Sequence, residues 1–553
     1  MADIGESLVS AISGEFKPVE ATQSDQKSFY KDIQKRNKYL LVQGLSDEEK
    51  QRIADYVIKC YNDAQSKHVE ICNKIDEWDE VSRLMRKEVI GSQGDLPNYR
   101  LPLSLVTAEV IHANVMNVFF SPKDVMRVIP TAADDISKVN NLSVFGNWSL
   151  KNELDIFNAC DRLFHASTKN GEGIAMLYWK KEYAVEIKRE VSRDESGQVV
   201  YDDITQEPIY KEYEETKLVY NAPFLEVINR KDYIQPSDAI MGQEPEWEQV
   251  IRRMSYDFYL REELQGKFYK DSCDYIKDWP VKSLPLQDKQ DYEGNNEMIG
   301  GWSKEFIEHY GRIRINVIKE GLSEEEAVEA YELEDEFIAV VHKQTRTLCS
   351  LRKNKFPMKM RPFIRDYFVP DDSGRRSGLG VYEVMDTLQK AYDKLYNEYI
   401  YSTELSNNPI VFFTPTGNMR DESFKIQKGF AYPTSDAGSV KLFQFPGPNS
   451  SLQYALQLVQ QWSQILFGIS AYAAGMESTI DPSAPAKKAE IVVEQGNVRL
   501  NMIIKRKNDV LKQIFKRWYL LYRDNMPQNK FARISGEGSG DDPFKFMAIS
   551  YED

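Results

Sequence analysis

The sequence predicts an α+β fold, and three observations carry the prediction. Residues 449–523 hold two long apolar stripes at helical spacing. Short alternating segments bounded by Gly and Pro recur between residues 170 and 450, as strands do. The 553 residues are 42% hydrophobic and include 31 Tyr and 26 Phe, which is a globular composition rather than a disordered one. A chain this long exceeds a single core, so two to four domains are expected.

Residues 1–45 read as a polar arm with a basic stretch at 31–38. A solvated surface and a nucleic-acid contact both stay open there. Met1-Ala-Asp-Ile-Gly lacks the basic-then-apolar order of a signal peptide. Ser46-Asp-Glu-Glu49 is a capping box. Ile53, Val57, Tyr61, Val69, Ile75 and Trp78 then predict one or two helices up to Ile90. Leu105, Val106, Val110, Ile111, Val115, Val118 and Phe119 predict an apolar helix over 103–120, ended at Phe120-Ser-Pro122. A strand is expected at 125–130, then a helix from Asp134 through Leu150 to His165, with Trp148 and Phe157 in its core. Asn170-Gly-Glu-Gly173 reads as a turn into a strand ending at Trp179, whose partner starts near Tyr183. Further strands are expected at 184–192 and 218–220. A dinucleotide fingerprint needs its glycines after a strand, so Gly171 and Gly173 read as turn residues.

A strand and turn at 223–239 lead to an arginine-bearing strand at 250–255 and a helix at 256–265. Residues 273–298 read as a loop, and strands are expected at 306–319 and 337–350. Eight carboxylates fall between Glu324 and Glu336. Their spacing is that of a solvated helix or turn, without the glycine of a calcium loop, so no metal is expected. A strand pair is expected over 357–370. Gly378-Leu-Gly380 supplies a tight turn before a helix at 381–406, which buries Val381, Val384, Leu388, Tyr392, Leu395 and Tyr399. Asn407-Asn-Pro409 ends it. Residues 409–448 are β-like, with strands at 410–414, 424–428 and 440–445.

The next helix, 451–467, carries Leu452, Ala455, Leu456, Val459, Trp462, Ile465 and Leu466 as one buried stripe, closed by Gly468. Pro482 and Pro485 then break the helix. A second helix follows over 484–523, roughly 60 Å at 1.5 Å per residue. Its apolar arc is Val493, Leu500, Ile504, Leu511, Ile514, Phe515 and Trp518. Lys505, Lys512 and Lys516 form one basic flank, and Arg499, Arg506 and Arg517 form another. Lys507 falls inside the arc, where it needs a carboxylate partner. A hairpin at 531–535 and 544–549 closes the chain.

No P-loop, GxSxG or HExxH is present, and the five cysteines form no CxxC. Acidic pairs such as Asp134-Asp135, Asp371-Asp372 and Asp541-Asp542 stand where Asp favours capping. No catalytic residue, cofactor or metal is therefore expected. The longest mainly apolar run lies near 465–476, too short to span a bilayer. The net charge of −15 fits either simple solubility or an acidic conduit along which phosphates slide.

The helix–loop–helix at 449–523 resembles the stem, tunnel loop and tunnel helix of the portal proteins of tailed bacteriophages, in particular short-tailed phages. Pro362-Phe363, Gly378-x-Gly380 and the long helix after them follow the same order. The resemblance implies a portal fold: an N-terminal arm at 1–45, a helical and β wing at 46–376, and a first stem helix at 377–408. A β-rich clip at 409–448, a second stem helix at 449–469, a tunnel loop at 470–485 and a tunnel helix at 486–523 complete it. The hairpin at 524–553 returns to the wing or begins a crown that is minimal or absent. It implies a homo-oligomeric ring, a dodecamer in the family, at one capsid vertex of the virion, assembled in the host cytoplasm. Double-stranded DNA passes through it without sequence readout. The implied channel residues are Tyr472, Met476, Glu477 and Ser478 of the loop, with Lys487 and Lys488 at the start of the tunnel helix. The implied docking residues for large terminase and tail adaptor are Asn418, Met419, Arg420, Lys425 and Lys428 of the clip. Major capsid and scaffolding proteins are further implied partners, and a membrane is not. The basic flanks of the tunnel helix are expected to pair with acidic residues of the adjacent subunit. The alternative is a DNA-processing enzyme of the packaging machinery, nuclease or terminase-like, marked by a carboxylate cluster or a P-loop.

Overall fold

The computed structural model describes residues 41–85, 97–130, 136–191, 208, 210–272, 274–277, 304–313, 336–371, 377–407, 410–413, 440–443, 447–468, 486–526, 530–534 and 545–549. Helices and antiparallel sheets alternate along it, as an α+β fold requires.

The first helix, α1 (Asp47–Ser82), starts at the expected capping box. Ser46 N donates to Glu49 Oε2 at 2.8 Å, and Glu49 N donates to Ser46 Oγ at 3.2 Å. It is one unbroken helix, and Val69, expected inside, is exposed. Val42 N donates to Leu351 O, so the end of the polar arm packs on a sheet edge instead of standing in solvent.

The helix α2 (Leu103–Phe120) has the predicted bounds. By length and composition alone it is apolar enough to cross a membrane, which corrects the reading that no segment is. Its Ile111 and Val115 are buried in the main core, while Val106 and Val118 on the far side are exposed. Residues 125–130 form no strand. The Asn147 amide takes over their pairing, its oxygen accepting from Val125 N at 2.9 Å and Met126 N at 3.0 Å. The single helix expected from Asp134 is two, α3 (Ile136–Asn152) and α4 (Ile156–Asn170), separated where Asp155 takes a φ of 48°. That break turns Phe157 outward, to half exposed.

The strand β1 (Glu172–Val191) does not turn back at Tyr183. It runs on against β2 (Tyr210–Ile228) in one long ribbon, with a register shift at Glu182/Tyr183. The strand β3 (Tyr233–Ile234) pairs with β4 (Trp247–Met254), which leads into α5 (Tyr256–Leu264) and the short α6 (Asp274–Lys277). Three more strands, β5 (Lys304–Arg312), β6 (Glu336–His342) and β7 (Thr347–Lys353), complete a five-stranded sheet in the order β3-β4-β5-β6-β7. The expected single strand at 337–350 is therefore a hairpin, and the acidic run before Glu336 lies outside the described residues. The strand pair expected at 357–370 is a 3₁₀ turn followed by one strand, β8 (Phe363–Tyr367), paired with β1 from Glu172 to Met176.

The two sheets face each other across Ile174, Met176, Tyr233, Val250, Tyr310 and Phe363. The amino-terminal half of α1 covers the other face of the five-stranded sheet. Ion pairs cross the layer between the sheets. Arg365 reaches Glu248, Arg361 reaches Glu248 at 3.4 Å and Glu336 at 2.8 Å, and Arg252 reaches Glu226 across the layer while also pairing with Glu308 in its own sheet. Burial alone would raise the Glu308 carboxyl, yet Arg252 and Arg352 beside it hold it below the usual carboxylate range.

The main core gathers α2, α3 and α4 with β1, β2 and β8. It also takes the root of α7 (Val381–Asn407) and the carboxy-terminal half of the longest helix, α9 (Ala486–Asn525). Between these two helices lie β9 (Ile410–Phe413), β10 (Val440–Phe443) and α8 (Ser450–Phe467). The final hairpin is β11 (Lys530–Ile534) with β12 (Lys545–Ile549).

The glycines at 171, 378 and 380 meet at one junction. Gly171 caps α4 in the left-handed region, as a C-terminal glycine does. Gly378 and Gly380 were expected to serve a turn, but neither is left-handed. A Cβ on Gly378 would stand 2.6 Å from Gly171 O, and one on Gly380 would stand 2.3 Å from Lys169 O. Close approach of two backbones is what these positions require.

Candidate DNA-channel and docking elements

The α7/α8 pair is anchored at one end only by buried groups. Val381, Tyr382 and Met385 are buried, and Gln389 is the last buried residue of α7 among those whose burial is described. The Gln389 side chain accepts from Ser104 N at 2.9 Å and donates to Leu101 O at 2.7 Å. One turn on, Asp393 Oδ1 accepts from Leu101 N at 2.9 Å. One turn further, Asn397 accepts from Tyr99 N and donates to Tyr99 O. This i, i+4, i+8 polar row ties α7 to the chain entering α2, and it was visible in the sequence but not singled out. Of the residues that α7 was expected to bury, Val381 is buried, whereas Val384, Leu388, Tyr392, Leu395 and Tyr399 are only half-buried.

The helix α8 begins at Asn449, whose side chain accepts from Ser451 N, and ends at Gly468 with a φ of 68°. Its expected buried stripe is not buried within one chain. Among its described residues only Ser463 is fully buried, and Leu452, Ala455, Leu456 and Val459 are half-buried. Trp462 is 55% exposed, and Ile465 and Leu466 are exposed too. Tyr454 and Leu458, at helical spacing before Trp462, are also exposed. Sequence reasoning placed this face inward because periodicity reveals a stripe without revealing what covers it.

The long helix α9 is seated by a buried charge. Lys507 Nζ lies 2.6 Å from Asp366 Oδ2 on β8 and 2.5 Å from Ser167 Oγ on α4, and Lys507 and Asp366 are both fully buried. The rings of Phe164 and Phe368 flank the ammonium at 5.3 and 5.9 Å. Burial pulls the ammonium below its usual range, and Asp366 opposes that pull. The expected carboxylate partner is thus present, brought from 141 residues away by the fold.

Of the expected apolar arc, Leu511, Ile514 and Trp518 are buried and Leu500, Ile504 and Phe515 pack partly. Ile503 and Val510 were missed. The arginine flank is used within the chain: Arg506 donates to Phe368 O at 3.0 Å and Arg517 donates to Phe363 O, which corrects the expectation of neighbouring-subunit partners for these two. Burial lowers the Arg517 guanidinium to about 10. Lys505, Lys512 and Lys516 stay exposed.

Tyr472, Met476, Glu477 and Ser478 lie outside the described residues, as do Asn418, Met419, Arg420, Lys425 and Lys428. Lys487 and Lys488 fall in the first turn of α9. The structure therefore brackets both expected sites without describing their side chains. Among the described residues no group of three or more His, Cys, Asp or Glu side chains is arranged to hold a metal ion.

The chain carries an anchored helix pair interrupted by a small β element, followed by a long seated helix. Portal proteins are structural components of the virion capsid, and they work as oligomeric rings with capsid and packaging partners. The chain belongs to the phage SU10 portal protein family, whose model matches residues 103–258 and 351–543. Most of the five-stranded sheet and all of α1 fall outside the matched segments, whereas α7, α8 and α9 fall inside. Among curated proteins none matches the chain.

Proposed function

We propose that this chain forms the ring at one capsid vertex through which double-stranded DNA is packed and later ejected. In this reading the loop at 470–485 faces the channel. Its small, mostly uncharged residues slide on DNA without reading bases, and Lys487 and Lys488 meet passing phosphates. Residues 409–448 dock the large terminase during packaging and the tail adaptor afterwards, with Asn418, Met419, Arg420, Lys425 and Lys428 as the contact positions. The copy number is twelve.

The observation that supports this best is the outward row Tyr454, Leu458 and Trp462 on α8. Large apolar side chains in a helical row on one face mark a contact that a single chain does not satisfy. In a ring, the adjacent copy covers them. The enzyme alternative gains no support from the family.

Negative-stain images of the purified full-length chain test the reading. Rings with a central hole and twelve repeats are expected, and a monomer under all packaging-like conditions overturns it. In assembled particles, Lys487→Ala with Lys488→Ala is expected to leave rings intact and lower the amount of packaged DNA. Unchanged DNA content removes these two lysines from the channel role.

A further inference from the structure

A cavity of about 370 Å³ lies against the carboxy-terminal half of α1. Its other walls are the end of α4 at Asn170, the turn from Arg230 to Ala239, and the start of α7 with Ser377 and Gly378 before it. That volume suits a ligand of roughly a dozen non-hydrogen atoms. On α1, Lys67, Ile71, Lys74 and Trp78 recur every three or four residues, so one helix face supplies both an apolar wall and two ammonium groups. The helix α1 falls outside the segments that the family model matches, so family membership does not supply this site.

Three buried polar atoms of the lining residues have no hydrogen-bond partner among the described residues: Arg230 Nη2, Asn170 Oδ1 and Gln235 Oε1. Arg230 is 5% exposed. Its Nε donates to Glu172 Oε2 at 2.8 Å and its Nη1 donates to Tyr233 O at 2.9 Å, which fixes the guanidinium and leaves one donor group over. Folded proteins rarely leave buried donors and acceptors unpaired. One cationic donor and two amide oxygens call for an anionic oxygen and an N–H on the same ligand. Lys67 Nζ donates to Ser237 O, which ties α1 to the turn, and Lys74 Nζ lies 3.6 Å from Glu70. His68 adds no charge at neutral pH, because burial and the neighbouring charge of Arg230 hold its imidazole down to about 4. Lys67, Lys74 and Arg230 are thus matched by Glu70, Glu383 and, paired with Arg230, Glu172. With these charges balanced, one added negative charge is tolerated better than two.

We propose that this cavity binds an α-carboxylate that carries an acylated N–H and an apolar side chain. The carboxylate meets Arg230 Nη2, the N–H meets the amide oxygens of Asn170 and Gln235, and the side chain lies on Ile71 and Trp78. This chemistry has two sources, a free N-acylated amino acid and the C-terminal residue of a polypeptide. A phosphate dianion carries the same oxygens but one charge too many. The site lies within one chain, so it does not depend on the ring proposed above.

Saturation-transfer NMR on the purified full-length chain at neutral pH tests the site. The probe N-acetyl-leucine is expected to bind with a dissociation constant of about 1 mM, as its size warrants. Its amide, N-acetyl-leucinamide, lacks the charge and is expected to bind at least about tenfold more weakly. Inorganic phosphate is expected not to displace the probe. Replacing Arg230 would strand Glu172, so the protein variant is Ala239→Trp, which fills the cavity from the turn and touches no ion pair. It is expected to keep the circular dichroism of the unsubstituted chain and to weaken the probe at least about fivefold. No binding of the probe, equal binding of acid and amide, displacement by phosphate, or unchanged binding in Ala239→Trp overturns the proposal. The peptide Gly-Ser-Gly-Leu with a free carboxylate separates the two sources. Binding as tight as that of the probe assigns the site to a polypeptide C-terminus, and exclusion of the peptide while the probe binds assigns it to a free N-acylated amino acid.

Discussion

Lys507 shows at the scale of one residue how the long helix is held. A lysine in an apolar arc is costly unless paired, and here one buried carboxylate and one hydroxyl pair it. Asp366→Ala strands that charge and is expected to cost roughly 3–5 kcal/mol in denaturant unfolding. The double change Lys507→Met with Asp366→Leu removes both charges and is expected to unfold close to the unsubstituted protein. If the double change costs as much as the single one, the pair is not what seats the helix. His309 makes a second prediction. Burial, aided by the charge of Arg361, pushes its imidazole down to about 3 from an ordinary 6.5. Below pH 6.5 the unfolded chain therefore takes up a proton that the folded chain refuses. Stability from this group is whole above pH 6.5 and is lost as pH falls toward about 3, by roughly 2 kcal/mol at pH 5. Urea midpoints measured from pH 7 to pH 5 are expected to fall, and to fall less in His309→Gln. Equal slopes in the two proteins contradict the assignment.

At the scale of an element, α8 carries the prediction that separates one chain from the assembly. Trp462→Glu places a charge on a face that is 55% exposed in the single chain, so the fold of the chain is expected to survive. The ring is expected to dissociate, read by sizing and by retained circular dichroism. Intact rings from this variant place the subunit contact elsewhere. The junction of α4 with α7 makes the opposite prediction. Gly378→Ala drives a methyl against Gly171 O and is expected to cost about 1–3 kcal/mol within the monomer, read as a lowered melting temperature. Local chemistry made the capping box at Ser46, the bounds of α2, the cap at Gly468 and the existence of α9 legible, because each signal lies within a few residues of what it controls. The split between α3 and α4 was not legible. No Gly or Pro stands there, yet Asp155 takes a left-handed conformation, with a φ of 48°.

At the scale of the whole molecule, the two sheets and the helices packed on them share a set of buried clusters. The start of α7 and the carboxy-terminal half of α9 are anchored in the main core. Purified chain is expected to run on sizing at many times its 64.1 kDa. A profile at monomer mass under low and high salt contradicts a ring.

By itself the sequence determined the mixed class, the helix–break–helix at 449–523, the need of Lys507 for an acid, and the order of motifs that pointed to a portal. These follow from periodicity, capping and breaking residues, which act over short stretches of chain. Only the tertiary structure decided that Asp366 is the acid and that β1 and β2 form one ribbon. It alone showed that Gly378 yields to a neighbouring backbone and that α8 turns Trp462 outward. Those outcomes depend on which distant segments meet, and the sequence shows an apolar face without showing whether its own chain or another copy covers it.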